Sequence, residues 1–343
     1  MAKKKDQGRM GFSLLKENPI YASPVGYTNT GNLLMNWAIA NDAGRGFPRG
    51  KSVELFGDPS TGKSLLAYQA LAATQEAGGL ACLDDVERAL FPDFASMLGI
   101  KTKDLMVANS KTIEDCFENI EGAIKHGLSS KIKNMTIVID SIAALSSRHE
   151  ADVGFEKRDM TKAYLIRQGF RVLTPLLSEA GYLLIVLNHV TANIGDMFNP
   201  RTTPGGTGIK FNASVRLSLS YKGRVPKDKK LPARGVLTRF VVEKNRIAPP
   251  FRDGVVYIDW KKGVTPYAGI MDKLESMGIL EQAESPAYIA FLDDDDGTKY
   301  AKKSFDNDFQ KIAEERGFDS AEEFLNTLLS DEETVEDDTV EDE

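Results

Sequence analysis

The stretch GDPSTGKS, Gly57 to Ser64, constrains this chain more than any other eight residues in it. Gly57 and Gly62 permit backbone geometry that side chains block, so successive N–H groups can turn inward on phosphate oxygens. Lys63 then reaches the terminal phosphates, and Ser64 offers its hydroxyl to Mg²⁺. The flanks agree with this reading. SVELFG, residues 52–57, is a short apolar strand, and SLLAYQALAATQEAG after it has helical spacing, with Leu65, Tyr68, Leu71 and Ala72 toward a core. A loop in that position sets the helix N-terminus beneath the phosphates. Gly57, Asp58, Pro59, Ser60, Thr61, Gly62, Lys63 and Ser64 are therefore expected to cradle a nucleotide triphosphate.

GLACLDDVE, LMVAN, MTIVID and YLLIVLNHV read as further strands, with helices expected near 93–98, 112–127 and 159–180. Strand and helix in alternation imply an α/β fold: a mostly parallel sheet covered by helices on both faces. ASVRLSLSY, LTRFVVEKN and VVYIDW follow with no helices between them and extend that sheet in antiparallel fashion. Residues 1–26 read as an irregular arm, 27–267 as the core, 268–330 as a small, mainly helical appendage, and 331–343 as an acidic tail.

No apolar run approaches the ~20 residues of a membrane span. The basic start, MAKKKDQGRM, is followed by no apolar signal core. Cys82 and Cys116 read as reduced thiols of a cytoplasmic protein, and His126, His149 and His189 are too scattered for a structural zinc site. The net charge of −7 is unevenly placed, because DEETVEDDTVEDE at the end holds nine acidic groups; without them the balance is about +2. The tail is either a solubilising segment or an acidic arm that competes with a polyanion for a basic groove.

Two acidic positions complete the chemistry around the loop. Ligands of parallel sheets sit at the carboxyl ends of strands, so Asp140, ending MTIVID, can hold Mg²⁺ through water. LDDVERAL ends another strand in Asp84, Asp85 and Glu87, and a carboxylate near the γ-phosphate can orient or deprotonate water.

GDPSTGKS, DVERALFPDFASMLGI, TIVIDSIAAL, VLNHV, NPRTTPGGTGIKFNASVRL and VVEKNRIAPPF follow one another in the order of the corresponding segments of the RecA-type recombinases. The chain resembles that family, bacterial and phage members alike, from about Tyr27 to about Gly269, with a looser echo to about residue 325. The resemblance implies a RecA-like ATPase core using ATP and Mg²⁺. Under it, Glu87 activates water, Phe94 stacks on adenine, Phe91 stands where the family has an acidic residue near the base, and His189 senses the γ-phosphate where bacterial members carry glutamine. Lys244 and Arg246 match the two basic residues that reach the neighbouring subunit's nucleotide, and two residues apart on a strand they share a face.

Two loops of the family line a filament axis and grip DNA. They correspond here to about Ser146–Asp159 and about Thr191–Lys210. The second is too rich in proline and glycine for regular helix or strand. In it Ile194 matches the aliphatic wedge between base triplets, Gly205 and Gly206 offer backbone amides to phosphates, and Lys210 closes the segment. Arg167 and Arg171, four apart on a helix, share a face that can meet phosphates. The arm is shorter than in bacterial members, so GFSLL or PIYASPV would serve the subunit contact.

The resemblance implies a DNA-dependent ATPase that polymerises on single-stranded DNA and exchanges strands with a homologous duplex, with loading proteins and a single-strand-binding protein as further partners. A ring helicase on the same core, or a nucleotide-switched assembly factor, are the alternatives. The Gly-Gly-rich second loop followed by KFNASVRL favours the recombinase over the ring. Intact Lys63, Glu87 and Asp140 disfavour the switch.

Overall fold

A computed structural model describes residues 24–153, 161–192, 201–203, 207–228, 230–292 and 298–330. The chain opens with β1 (Tyr27–Thr28), α1 (Leu33–Ala40) and β2 (Phe47–Pro48), and β1 pairs with β2. The alternating part follows as β3 (Ser52–Gly57), α2 (Lys63–Glu76), β4 (Leu80–Asp85), α3 (Pro92–Met97), β5 (Leu105–Ala108), α4 (Ile113–Ser129) and β6 (Met135–Asp140). Next come α5 (Arg148–Val153), α6 (Lys162–Ala180), β7 (Leu183–His189), the short pair β8 (Thr191–Ala192) and β9 (Arg201–Thr202), and α7 (Thr207–Asn212). The consecutive strands are β10 (Val215–Val225), β11 (Gly235–Asn245), β12 (Asp253–Asp259) and β13 (Gly263–Val264). The chain then runs through α8 (Ile270–Ser276), β14 (Leu280–Gln282), β15 (Tyr288–Phe291), β16 (Tyr300–Ala301), α9 (Phe305–Glu315) and α10 (Ala321–Ser330).

One nine-stranded sheet in the order β13-β12-β11-β10-β3-β7-β6-β4-β5 organises the core. β10, β3, β7, β6, β4 and β5 are parallel, and β11, β12 and β13 add antiparallel pairs, as the run of strands without helices implies. Alternation along buried strands separates two cores. Leu183, Ile185 and Leu187 of β7 face the α1 and α2 side, while Leu184 and Val186 face α4 and α6.

Three local features depart from the sequence reading. NLLMNWAIAN forms α1, whose eight residues are all buried; with no polar face it has no helical periodicity to detect. Asn32 caps it, accepting from the Met35 N–H at 2.9 Å and donating to the carbonyls of Thr265 and Ala268. On α2 the buried positions are Leu66, Ala67, Tyr68, Ala70 and Leu71, while Leu65 and Ala72 pack only partly. The appendage contains, besides its helices, the three-stranded sheet β14-β15-β16.

Among the described residues that appendage shows no separate core. Phe291, Phe305, Phe309, Phe324 and Leu325 belong to the same apolar cluster as Leu34, Trp37 and Ile39 of α1. Phe324 stacks on Phe309 at 5.3 Å between ring centroids and lies 4.8 Å from Phe318. Asn326 adds polar ties to Ala43 and Asp42. Phe324→Ala is expected to cost about 3–5 kcal/mol and to lower the midpoint of one shared melting transition. A second, separate calorimetric transition for the appendage would contradict the shared core.

Candidate active site

Four parallel strands deliver side chains to one edge of the sheet. β3 runs out at Gly57, opposite His189 of β7, and Asp85 of β4 pairs with Asp140 of β6. Between β3 and α2 the chain turns tightly. Gly62 has φ +86°, and a Cβ there would lie 2.2 Å from Ile258 Cδ1, so only glycine fits. The Thr61 hydroxyl donates to the Asp58 carbonyl at 2.9 Å, and the Thr61 carbonyl accepts from Thr238 of β11 at 3.1 Å. Pro59 and Ser60 form the exposed tip.

Lys63 is buried, and its Nζ donates to the carbonyls of Gly57 at 3.0 Å and Asp58 at 2.7 Å, which keeps the cation inside the loop's curve. Burial lowers its pKa below the usual value, against the pull of Asp140, Asp58 and Glu87. At the end of β6, Asp140 is 6% exposed and hydrogen-bonded to the Ser64 hydroxyl. Burial pushes its carboxyl up to about 6; the Ser64 bond opposes this, and the charges of Glu87 and Asp85 add to it.

The structure distinguishes the three acids of LDDVERAL. Asp84 is buried and accepts from the Ser110 N–H and hydroxyl. Asp85 is also buried and accepts from the N–H groups of Ala89 and Leu90, folding the segment after β4. Glu87 alone turns to the site. Its N–H bonds the Asp140 carbonyl at 3.1 Å, and its carboxylate accepts from the Ser141 hydroxyl and lies 3.1 Å from His189 Nε2. Burial raises the Glu87 pKa, but the bonds from Ser141 and His189 and the charge of Lys63 outweigh it, leaving it below the usual value.

Phe94, on α3, is half-buried against the apolar cluster, whereas Phe91, just before that helix, is 63% exposed. Arg167 and Arg171 are both exposed on α6. Ile194, Gly205 and Gly206 lie outside the described residues, as do 154–159 of the first loop and 193–200 and 204–206 of the second. The second loop is more regular at its ends than its composition suggests. β8 and β9 pair at its stem, and α7 begins at Thr207. Gly208 sits inside α7, where a Cβ would stand 3.3 Å from the backbone of Ala163 and Arg167, so this glycine serves close helix packing rather than a turn.

Lys244 and Arg246 converge, though not by simple alternation, since β11 ends at Asn245 and a bulge at Glu243 interrupts its register with β10. Lys244 Nζ donates to the carbonyls of Lys210 and Phe211, both at 2.8 Å, and Arg246 donates to that of Phe211 at 2.9 Å. Burial, then the charges of Arg246 and Arg216, lower the Lys244 pKa to about 8, against the pull of Glu54. The sequence reading assigns no role to Glu54, Arg216 or Ser141. A glutamate inside the apolar strand SVELFG and an arginine inside VRLSL were the available signals.

A family model for the RecA N-terminal domain matches residues 4–265. The chain belongs to the RecA family. Protein RecA of Wolbachia pipientis from Culex pipiens is 36% identical over 279 residues, 80% of this chain and 75% of that protein. Protein RecA of Thermus thermophilus is 35% identical over 283 residues, 82% of this chain and 80% of that protein. Protein RecA of Treponema denticola is 35% identical over 269 residues, 77% of this chain and 62% of that one. As a RecA-family chain it is a homologous-recombination, strand-exchange protein. DNA-dependent ATP hydrolysis, use of Mg²⁺, DNA binding and filament formation are properties of this RecA family at large. Among the described residues no helix is long and apolar enough to cross a membrane.

The raised pKa of Asp140 sets a testable sign. An acid whose pKa climbs on folding, here from 3.8 to about 6, stabilises the fold below pH 4 relative to neutral pH. That contribution is lost as pH rises through about 6. Asp140→Asn should therefore raise stability at pH 7.5 without Mg²⁺ by roughly 1–3 kcal/mol. The gain should vanish at pH 4. Melting curves at the two pH values measure it, and a pH-independent effect would show that burial does not govern this carboxyl.

Proposed function

We propose that the chain binds ATP in the loop Gly57–Ser64 and assembles as a helical filament on single-stranded DNA in the cytoplasm, each nucleotide site being completed by the next subunit. The register of the central sheet carries this reading. β11 is antiparallel to β10 and β10 is parallel to β3, so Lys244 pairs with Arg216 and Arg216 pairs with Glu54. Lys244 thus stands level with a residue three positions before Gly57, roughly 10 Å back along the strand and two strands, about 10 Å, to the side. Arg246 lies further back, its N–H on the Ser214 carbonyl. Cations at that end of the sheet cannot serve their own phosphate loop, but they can face the loop of a neighbour stacked beneath.

Within one site the roles follow from chemistry. Backbone amides of Gly57–Ser64 and the Lys63 ammonium bind the phosphates. Ser64 and Asp140 present hard oxygen donors, the kind Mg²⁺ prefers. The ion, when bound with ATP, neutralises charge on the phosphate oxygens. Glu87, kept ionised by Ser141 and His189, orients a water and takes its proton. His189, held against Glu87, reports the γ-phosphate, and Phe94 packs on adenine. Lys244 and Arg246 meet the charge that develops on the transferred phosphoryl group. Arg167, Arg171, Ile194, Gly205, Gly206 and Lys210 contact DNA. Residues 27–267 form the ATPase core, 268–330 a C-terminal domain docked on it and 331–343 an acidic tail, with subunit contact from 1–26. Loading proteins, a single-strand-binding protein and the homologous duplex complete the partner set.

Electron microscopy with single-stranded DNA, Mg²⁺ and a slowly hydrolysed ATP analogue should show helical filaments; closed rings would favour the motor reading instead. Mixing tests the shared site. Lys63→Ala and the double variant Lys244→Ala/Arg246→Ala should each lack DNA-dependent ATPase activity. An equal mixture should recover about a quarter of the wild-type rate, from interfaces pairing an intact loop with intact cations. No recovery would mean that these cations act within their own subunit.

A further inference from the structure

Glu54 is fully buried in the middle of β3, between apolar neighbours, and both of its carboxylate oxygens are engaged. Oε1 accepts from the Asn188 side-chain amide at 2.9 Å, and Oε2 accepts from Arg216 Nε at 2.5 Å. A charge in such a place is costly unless it is paired and hydrogen-bonded, and hydrophobic residues would fill the strand at lower cost. Neither Glu54 nor Arg216 touches the phosphate loop's own chemistry. The two partners of Glu54, however, lie on opposite sides of β3, Asn188 on β7 and Arg216 on β10.

Toward the nucleotide edge, the Asn188 side-chain carbonyl accepts the His189 N–H at 3.0 Å, and His189 in turn meets Glu87. On the β10 side of β3, the Arg216 guanidinium lies 4.4 Å over the Phe56 ring and reaches Glu243 of β11 at 3.4 Å. Glu243 is the bulge residue of β11, and the bulge sets where Lys244 and Arg246 leave the strand. Polar contacts therefore run without a break from Glu87 through His189, Asn188, Glu54 and Arg216 to the segment carrying the two cations.

We infer that Glu54 is a positioning residue that ties the His189 end of a subunit's own site to the Lys244–Arg246 surface it offers to a neighbour. The inference rests on the proposed in-trans role of those cations. Its consequence is that a subunit's own nucleotide influences how well it completes the next site, so that ATP hydrolysis is cooperative along the filament. The physical content is that removing the Glu54 charge must disturb Lys244 at a distance, through Arg216, without any change to the phosphate loop.

Two readouts on the full-length protein test this. The first is the pH dependence of Lys244 acylation by a small amine-reactive ester, followed by mass spectrometry on the free protein. Glu54→Gln removes a negative charge and leaves Arg216 unbalanced, so the midpoint should move to lower pH by about half a pH unit or more. Mere loosening would expose Lys244 and move the midpoint upward. Glu54→Gln/Arg216→Gln leaves no unpaired buried charge, which guards against simple misfolding, and should return the midpoint toward the wild-type value while ATPase activity stays impaired.

The second readout is a cycle of Glu54→Gln, Lys244→Ala and their combination in DNA-dependent ATPase assays. Glu54→Gln should lower kcat about five- to tenfold and flatten the sigmoidal dependence on ATP, and the combined variant should be no worse than Lys244→Ala alone. Additive losses, or an unmoved acylation midpoint, would overturn the inference. A shifted midpoint beside a fully active Lys244→Ala variant would instead support the link to Lys244 and remove the in-trans reading.

Discussion

Parallel pairing of β3 with β7, β7 with β6 and β6 with β4 makes four strands finish at one edge, and the chemistry of the chain depends on that alignment. Each strand ends in a group that matters: the phosphate loop after Gly57, His189, Asp140, and the turn that carries Glu87. Backbone hydrogen bonds lock the register, and a slip of one residue would turn each of these groups to the opposite face. The Glu87 N–H on the Asp140 carbonyl closes the arrangement by clipping the turn after β4 to the end of β6.

This edge concentrates negative charge. The charges of Glu87 and Asp85 add to burial in raising the proton affinity of Asp140, and Lys63 is the cation that the loop itself supplies. Burial makes the repulsion more severe, because a low-dielectric surrounding screens it less than water does. A divalent cation held by Ser64 and Asp140, as proposed for this site, would offset that repulsion.

The antiparallel strands do a different task. β11 descends from the nucleotide edge and carries Lys244 and Arg246 to the opposite end, where they rest on the last carbonyls of α7. The second loop leads directly into α7, so the segment expected to meet DNA and the cations expected to meet a neighbour share one short helix. Gly208 permits that helix to lie close against α6, whose exposed face holds Arg167 and Arg171.

Local chemistry made much of this legible in the sequence. The phosphate loop, the strand ending in Asp140 and the βαβ rhythm depend on neighbours a few residues apart, so spacing and residue type were enough to read them. α1 was not legible because a helix buried on every side shows no amphipathic period. Nor could the sequence show that the appendage shares its core with α1, because Phe309, Phe324 and Trp37 meet only after some 270 intervening residues have folded. Residue type alone left Asp84, Asp85 and Glu87 equivalent; the family resemblance singled out Glu87, and the physical reason, that Ser110, Ala89 and Leu90 occupy the other two carboxylates, lies in the fold. The pairing of Glu54 with Arg216 likewise waited on two strands 162 residues apart lying side by side. Residue order supplies the groups suited to phosphate chemistry, whereas the end of the sheet that each one faces follows from the folded arrangement, because strand direction is settled by pairing between distant segments.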